Sequence, residues 1–215
     1  MTSEFKVHIG IAVPSNGTWR QEFGKALVRL VAYEASASNR QISILTQQSS
    51  MLTMSRHKLV VDAIRAKCTH VLFLDTDMTF PRDLVERLLA RDKDFIACNC
   101  TNRFFPVRPL AHSLDGRVLH SKGKKGVQKV QFVGLAVALI KVDVFKQMTP
   151  PFFLQDWVPD LKGYCGEDVY FCQTAKAQIG LDVYVDHGVS QEIGHVGFHQ
   201  FSHDMTEDNE LSEVG

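Results

Sequence analysis

The sequence predicts an α/β fold, a mostly parallel central sheet flanked by helices, on three observations. Apolar, β-branched runs alternate with stretches whose apolar residues recur every three or four positions, the pattern of strands joined by amphipathic helices. The run HVLFL at 70–74 is apolar almost throughout, as a strand covered on both faces must be. After Cys100 the rhythm breaks into short alternating runs rich in Pro and Gly, which adds a small antiparallel portion in the second half.

The first element is FKVHIGIAVP, a buried strand that stops at Pro14 and the turn formers Ser15, Asn16 and Gly17. Phe23, Ala26, Leu27, Leu30 and Val31 then fall at helical spacing, with Thr18 available as a cap. QISILT forms a short strand, and MSRHKLVVDAIRAK a second helix with Leu59, Val60, Ala63 and Ile64 on its apolar face. HVLFL is the third strand. Pro81 is placed to start the helix RDLVERLLAR, and DFIACNC returns as a fourth strand. Residues 101–129 read as hairpins and a mobile loop. VQFVGLAVALI is a strand region interrupted by Gly134, KVDVFKQM a short helix, and GEDVYFCQTAKAQIG a longer helix ended by Gly180. LDVYVD is a last strand before a histidine-bearing stretch.

The totals bound the function. With 215 residues the chain suits one domain over 1–200, followed by an acidic tail over 201–215 whose Asp204, Glu207, Asp208, Glu210 and Glu213 face no Lys or Arg and favour flexibility. Lys plus Arg, 24, balances Asp plus Glu, 24, so no global field announces a nucleic-acid or membrane partner. No run of about 18 apolar residues exists to span a bilayer. Five cysteines, with no C-x-x-C pair, read as reduced thiols buried as small hydrophobes.

One short stretch concentrates chemistry. VLFLDTDMTFP runs a buried strand directly into Asp75 and Asp77, at the carboxyl end where open α/β sheets bind ligands. Two carboxylates facing one pocket repel unless a cation neutralises them, and oxygen ligands suit Mg²⁺ or Mn²⁺, with an added imidazole favouring Mn²⁺. The chain supplies a control: Asp92 and Asp94 also form a D-x-D, but they precede their strand and read as solvated turn residues. The competing reading of Asp75 and Asp77 is capping of the helix near Pro81.

The combination of VPSNGTW, SRHKLVVDAI, THVLFLDTDMTFP, FVGLAVALIKVDVF, GEDVYFCQTAKAQIGLDVYVD and GHVG resembles a GT-A-fold glycosyltransferase of the family 2 type, over residues 6–197, and most of all its compact bacterial or phage-encoded members. The resemblance implies a Rossmann-like sheet, a nucleotide-diphosphate-sugar donor, a UDP-sugar by expectation, and Mn²⁺ or Mg²⁺. It implies that Asp75, in the first D-x-D position, meets the donor ribose, and that Asp75 and Asp77 with His195 make the metal site. Pro14, Ser15, Arg56, Thr76 and Gly134 would line the donor site. Asp168 would be the general base toward an acceptor hydroxyl, with Glu167 beside it. The N-terminus, with no basic region followed by a long apolar stretch, reads as that of a soluble, cytoplasmic protein, and the resemblance implies a bacterial or phage-infected cell. His187, His199 and His203 compete with His195. Trp157 could stack on a sugar ring or simply pack. Asp168 could instead be a first-turn acid favoured by the helix dipole, and Arg56 an exposed charge at a helix start.

Residues 101–129 hold Arg103, Arg108, Arg117, Lys122, Lys124, Lys125 and Lys129 against Asp115 alone. Such a segment suits a phosphate-bearing acceptor, nucleic acid or lipid-linked, or else a lid that closes on the donor diphosphate. Two rival functions follow from the same residues: a nucleotidyltransferase, which would need a glycine-rich, lysine-bearing phosphate loop that VPSNGTWRQ lacks, and a binding module without catalysis.

Overall fold

The computed structural model describes residues 7–37, 39–159, 162–198 and 200–206. The chain runs β1 (His8–Ser15), α1 (Gln21–Ala37), β2 (Gln41–Gln48), α2 (Leu52–Arg65), β3 (His70–Leu74), β4 (Met78–Thr79), α3 (Leu84–Leu89) and β5 (Phe95–Ala97). It continues through β6 (Val127–Val130), β7 (Val137–Lys141), α4 (Val142–Gln147), β8 (Trp157–Val158), β9 (Gly163–Tyr164) and α5 (Glu167–Ile179). β10 (Val183–Asp186), α6 (His187–Ser190), β11 (Gly194–Val196) and β12 (Gln200–Phe201) complete it.

Seven strands form the central sheet in the order β2-β1-β3-β7-β5-β10-β6. β1, β2, β3, β5 and β10 run one way, while β7 and β6 run against them. The antiparallel strand β7 sits at the centre, between β3 and β5, so the strand region around Gly134 is two strands with different neighbours. β4, β11 and β12 make a second, antiparallel sheet beside the end of β3, and β8 with β9 a small hairpin.

Strand alternation sorts the core into two layers. Ile9, Ile11, Val13, Leu72 and Leu74 pack under α1 and α3, while Ala12, Val71, Phe73, Ala138 and Ile140 face α2, α4 and α5. β3 thus has an apolar side chain on each face, which is why its sequence is apolar without a break. Gly180 ends α5 in the left-handed conformation, φ 68°, as the sequence indicates.

Several elements depart from expectation. α1 begins at Gln21, and Thr18 donates to Asn16 Oδ1 at 3.0 Å in the loop before it. α3 begins at Leu84 rather than at Pro81, whose carbonyl accepts from the Leu84 N–H at 3.2 Å. LDVYVD is not the last strand, because the histidine-bearing stretch supplies α6, β11 and β12. Residues 202–206, assigned to the acidic tail by composition, fold back: His203 is 2% exposed and its Nε2 hydrogen-bonds the Asn99 carbonyl. Residues 207–215 lie outside the described residues.

Candidate active site

The site is built at the carboxyl edge of β3. Asp75 follows Leu74 directly, and its N–H donates to the Ala136 carbonyl at 2.9 Å, so the chain turns while still tied to the strand region beside it. Arg56, on α2, reaches this point from below. Its position completes an i, i+3, i+4, i+7 series with Leu59, Val60 and Ala63, which places a guanidinium on the buried face of the helix. Arg56 is 2% exposed. Its Nη2 donates to both carboxylate oxygens of Asp75, at 3.0 and 3.2 Å, and its Nε to Glu167 Oε1 at 3.1 Å. Nη1 reaches the Leu135 carbonyl at 3.4 Å, and the guanidinium lies 5.2 Å from the Phe73 ring centroid. One buried cation therefore joins α2, the end of β3, the approach to β7 and the first residue of α5. The sequence placed Arg56 among nucleotide contacts or on an exposed helix start; the structure makes it the centre of a buried ion-pair network.

Asp77, two residues on, lies at the antiparallel sheet, where its carbonyl accepts from the Val196 N–H at 2.7 Å. That strand, β11, carries His195, whose Nε2 is 3.4 Å from Asp77 Oδ2. The other ring nitrogen, Nδ1, lies 2.6 Å from the Thr101 carbonyl. A carbonyl only accepts, so Nδ1 carries a proton, and the same arrangement orients metal-binding histidines. Asp77 also pairs with Arg103, whose side chain is 52% exposed. Burial would raise the Asp77 carboxyl, but His195 and Arg103 outweigh it and hold it below its ordinary range.

Of the competing histidines, His187 is taken by Ser121 Oγ at 2.9 Å and Gln128 Oε1 at 3.0 Å, His203 serves the Asn99 carbonyl, and His199 lies outside the described residues.

Glu167 and Asp168 open α5. Glu167 is committed to Arg56, while the half-buried Asp168 accepts locally, from the Val169 N–H at 2.8 Å. Burial first, and then the neighbouring Glu167, push the Asp168 carboxyl above its ordinary range. Two glycines clear space for it. A Cβ on Gly166 would stand 2.4 Å from Asp168 Oδ1, and one on Gly134 would stand 3.6 Å from Oδ2. Asp75 is raised as well: burial comes first, Arg56 opposes it, and Asp77 and Glu167 reinforce it.

The charges decide what the cleft can take. Asp75, Asp77, Glu167 and Asp168 bring four carboxyl groups against the guanidinium groups of Arg56 and Arg103 and the imidazole of His195, whose proton affinity burial would lower but Asp77 and the Thr101 carbonyl raise. A cation entering the cleft would meet this excess of carboxyl groups. Among the described residues no group of three or more His, Cys, Asp or Glu is arranged to hold a metal. Asp77 and His195 do converge with a carboxylate oxygen and an oriented imidazole, a donor pair that fits a cation whose other ligands come from substrate and water.

The remaining sequence candidates surround this cleft. Pro14 is buried and Ser15 half-buried at the end of β1, and the Thr76 carbonyl accepts from the Arg20 N–H at 3.0 Å, tying the loop after β1 to the D-x-D. Trp157 is 50% exposed on the β8–β9 hairpin, edge-on to Tyr164 with ring centroids 5.3 Å apart. Asp92 and Asp94 lie at the opposite edge of the sheet, where both approach Lys141.

No protein-family model matches the chain, and no curated protein matches it. Solved structures do. A197 from STIV has a TM-score of 0.60 at 18% identity, with 97% of this chain and 98% of that chain covered. The catalytic domain of Drosophila beta1,4galactosyltransferase 7, solved with xylobiose, has a TM-score of 0.51 at 15% identity, covering 89% and 71%. GalNAc-T7, solved with UDP, GalNAc and Mn²⁺, has a TM-score of 0.53 at 10% identity, covering 95% of this chain and 45% of that one. At these identities the likeness is one of fold, and it is to the GT-A-like α/β fold of glycosyltransferases.

Proposed function

We propose that the chain is a metal-dependent glycosyltransferase of the family 2 type, moving a sugar from a nucleotide-diphosphate sugar, a UDP-sugar, to an acceptor hydroxyl. The observation that carries this reading is the Arg56 network. It brings the D-x-D and the G-E-D, ninety-odd residues apart in sequence, to one cleft at the carboxyl edge of a sheet shared with glycosyltransferases.

Asp77 and His195 would hold Mn²⁺ or Mg²⁺, the imidazole favouring Mn²⁺. The cation, when bound, supplies positive charge to a departing diphosphate. The chain's own residues do the rest. Arg56 fixes the Asp75 carboxylate at the mouth of the cleft, in reach of a ribose, while Pro14, Ser15 and Thr76 frame the loop where a nucleoside would lie. Asp168 accepts the acceptor's hydroxyl proton, and its raised affinity for that proton suits a base working near neutral pH. Glu167, held by Arg56, keeps the first turn of α5 in place, so it positions Asp168. Gly134 leaves room beside the base, and Trp157 offers a ring face to a sugar.

Calorimetry of UDP-, GDP- and dTDP-sugars, each with and without Mn²⁺, tests the reading. UDP-sugar binding that requires Mn²⁺ and is lost in Asp77→Ala is the expected result. Equal binding without metal, or tight Mn²⁺-dependent binding by Asp77→Ala, removes the assignment.

A further inference from the structure

The basic segment, read from sequence as either a mobile lid or an acceptor contact, is neither one piece nor a floppy one. Residues 99–101 run away from β5, and 109–112 return beside them: the Leu110 N–H donates to the Cys100 carbonyl at 2.9 Å, and Thr101 bridges Pro109. Residues 118–121 then run outward again, with the Leu119 N–H donating to the Ala111 carbonyl at 2.8 Å and His112 bridging Val118. Asn99, fully buried, binds both of these segments through the Ala111 N–H and the Leu119 carbonyl. A meander of this sense puts the loop 102–108 and the turn 122–126 at the same end.

Both are braced. The Asn102 N–H donates to the Arg108 carbonyl at 2.9 Å, closing the first loop. Gln191, next to α6, accepts from the Gly123 N–H at 2.8 Å and donates to the Lys124 carbonyl at 2.8 Å, and the His187 N–H donates to the Gly126 carbonyl at 3.0 Å. Gly123 and Gly126 take positive φ, 71° and 79°, which lets the turn close tightly.

What these tips display is unusual for a water-facing surface. Phe104 and Phe105 are adjacent at the first tip and are 64% and 68% exposed. The second tip carries Lys122, Lys124 and Lys125, all exposed. Within the basic segment, Arg103, Arg117 and Lys129 are paired with Asp77, Asp115 and Asp182, but Arg108 and the three lysines make no ion pair among the described residues. Unneutralised cations alone would suit any polyanion. Two neighbouring phenylalanines held out on a braced loop call for an apolar phase next to the negative charge.

We propose that this end of the molecule is a docking surface for an anionic lipid bilayer, Phe104 and Phe105 entering the headgroup boundary while Arg108, Lys122, Lys124 and Lys125 meet lipid phosphates. No helix among the described residues is long and apolar enough to cross a membrane, and the proposed contact is made by these surface residues. It is independent of the donor chemistry, and its test does not use catalysis.

The full chain is mixed with vesicles of phosphatidylcholine alone and of phosphatidylcholine with phosphatidylglycerol, and floated on a density gradient. Binding to the anionic vesicles only is expected. K122Q/K124Q/K125Q should weaken it on the order of 100-fold, taking about 1 kcal/mol per lysine near an anionic surface. F104S/F105S should weaken it by at least about tenfold. Both variants alter exposed residues, so their melting should match the parent and show that neither has simply unfolded. Absence of flotation, or variants that float like the parent, overturns the proposal. So does binding of a single-stranded oligonucleotide, reduced by the lysine variant, without vesicle binding.

Discussion

Replacing Arg56 by Met keeps a side chain of similar length on α2 but removes the guanidinium that Asp75 and Glu167 share. Removing one partner of a buried ion pair costs about 3–5 kcal/mol, because the remaining charge is left without compensation. The Asp75 side chain retains 26% exposure, so water recovers part of that cost and the lower end, about 3 kcal/mol, is the expected loss. For a domain of this size about 2–4 °C is lost per kcal/mol, which gives a fall in Tm of about 6–12 °C. The chain should still fold, since domains commonly hold about 5–15 kcal/mol.

The pH dependence separates this cause from simple loss of packing. The Asp75 carboxyl already binds its proton more tightly in the folded chain than its ordinary value of 3.8, and losing Arg56 raises it further. A group raised on folding contributes stability below its unfolded value and loses it as pH rises through the folded value. The deficit of R56M should therefore be largest near neutral pH and shrink as the solution is acidified. Adding Glu167→Gln should return part of the lost stability. Melting followed by circular dichroism across this range checks all three statements. A fall of under about 2 °C, or a deficit that does not change with pH, would show that the guanidinium is not what holds the two motifs together.

Asp168→Asn should raise Tm near neutral pH, because the same sign applies to its raised carboxyl: ionisation opposes folding there, and the gain should vanish as pH falls below the ordinary value of 3.8. Scanning calorimetry at several pH values reads this, and the variant should bind donor while losing transfer. Gly166→Ala puts a methyl 2.4 Å from Asp168 Oδ1 and forces that short side chain to rotate. Its kcat should drop by a factor on the order of 100 or more, the size of a general-base contribution, with donor affinity and Tm little changed. Arg103→Ala frees Asp77 from an exposed, competing cation. Titration of Mn²⁺ alone, followed by its electron paramagnetic resonance signal, should show tighter binding, by up to about fivefold for a half-exposed pair of up to roughly 1 kcal/mol.

Much of the scaffold is legible in the sequence because its signals are local. HVLFL coincides with β3, Gly180 with the end of α5, and the apolar spacing of α1 and α2 with their buried faces. The central antiparallel strand is not legible in that way, since pairing of β7 between β3 and β5 is set by contacts far apart in the chain. The site divides along the same line. A D-x-D after a buried strand and a carboxylate opening a helix are short-range patterns. The Arg56 bridge to Glu167 spans 111 residues, and that of Arg103 to Asp77 spans 26. One signal for Arg56 was present: a charged residue in register with Leu59, Val60 and Ala63 occupies the apolar stripe, and a charge there is buried with a partner. For Arg103 nothing distinguishes one arginine from the others in a basic segment.

The two arginines differ in a way that assigns different work to the two aspartates. Arg56 is held by four acceptor contacts and an aromatic face and has almost no access to water, so releasing Asp75 would strand a buried cation beside Phe73. Asp75 is therefore a fixed acceptor, suited to hydrogen bonds from a neutral hydroxyl such as those of a ribose. Arg103 sits on an exposed loop and can leave Asp77 for water at little cost. Asp77 is thus the carboxylate suited to exchange a protein cation for another, and His195 approaches the same oxygen as Arg103, Oδ2, with an imidazole already oriented by Thr101. Under the proposed function, a departing Arg103 would be free to meet the negative charge of the donor diphosphate. Burial decides which half of the D-x-D is structural and which half is exchangeable, a distinction that two identical residues one position apart cannot carry in sequence.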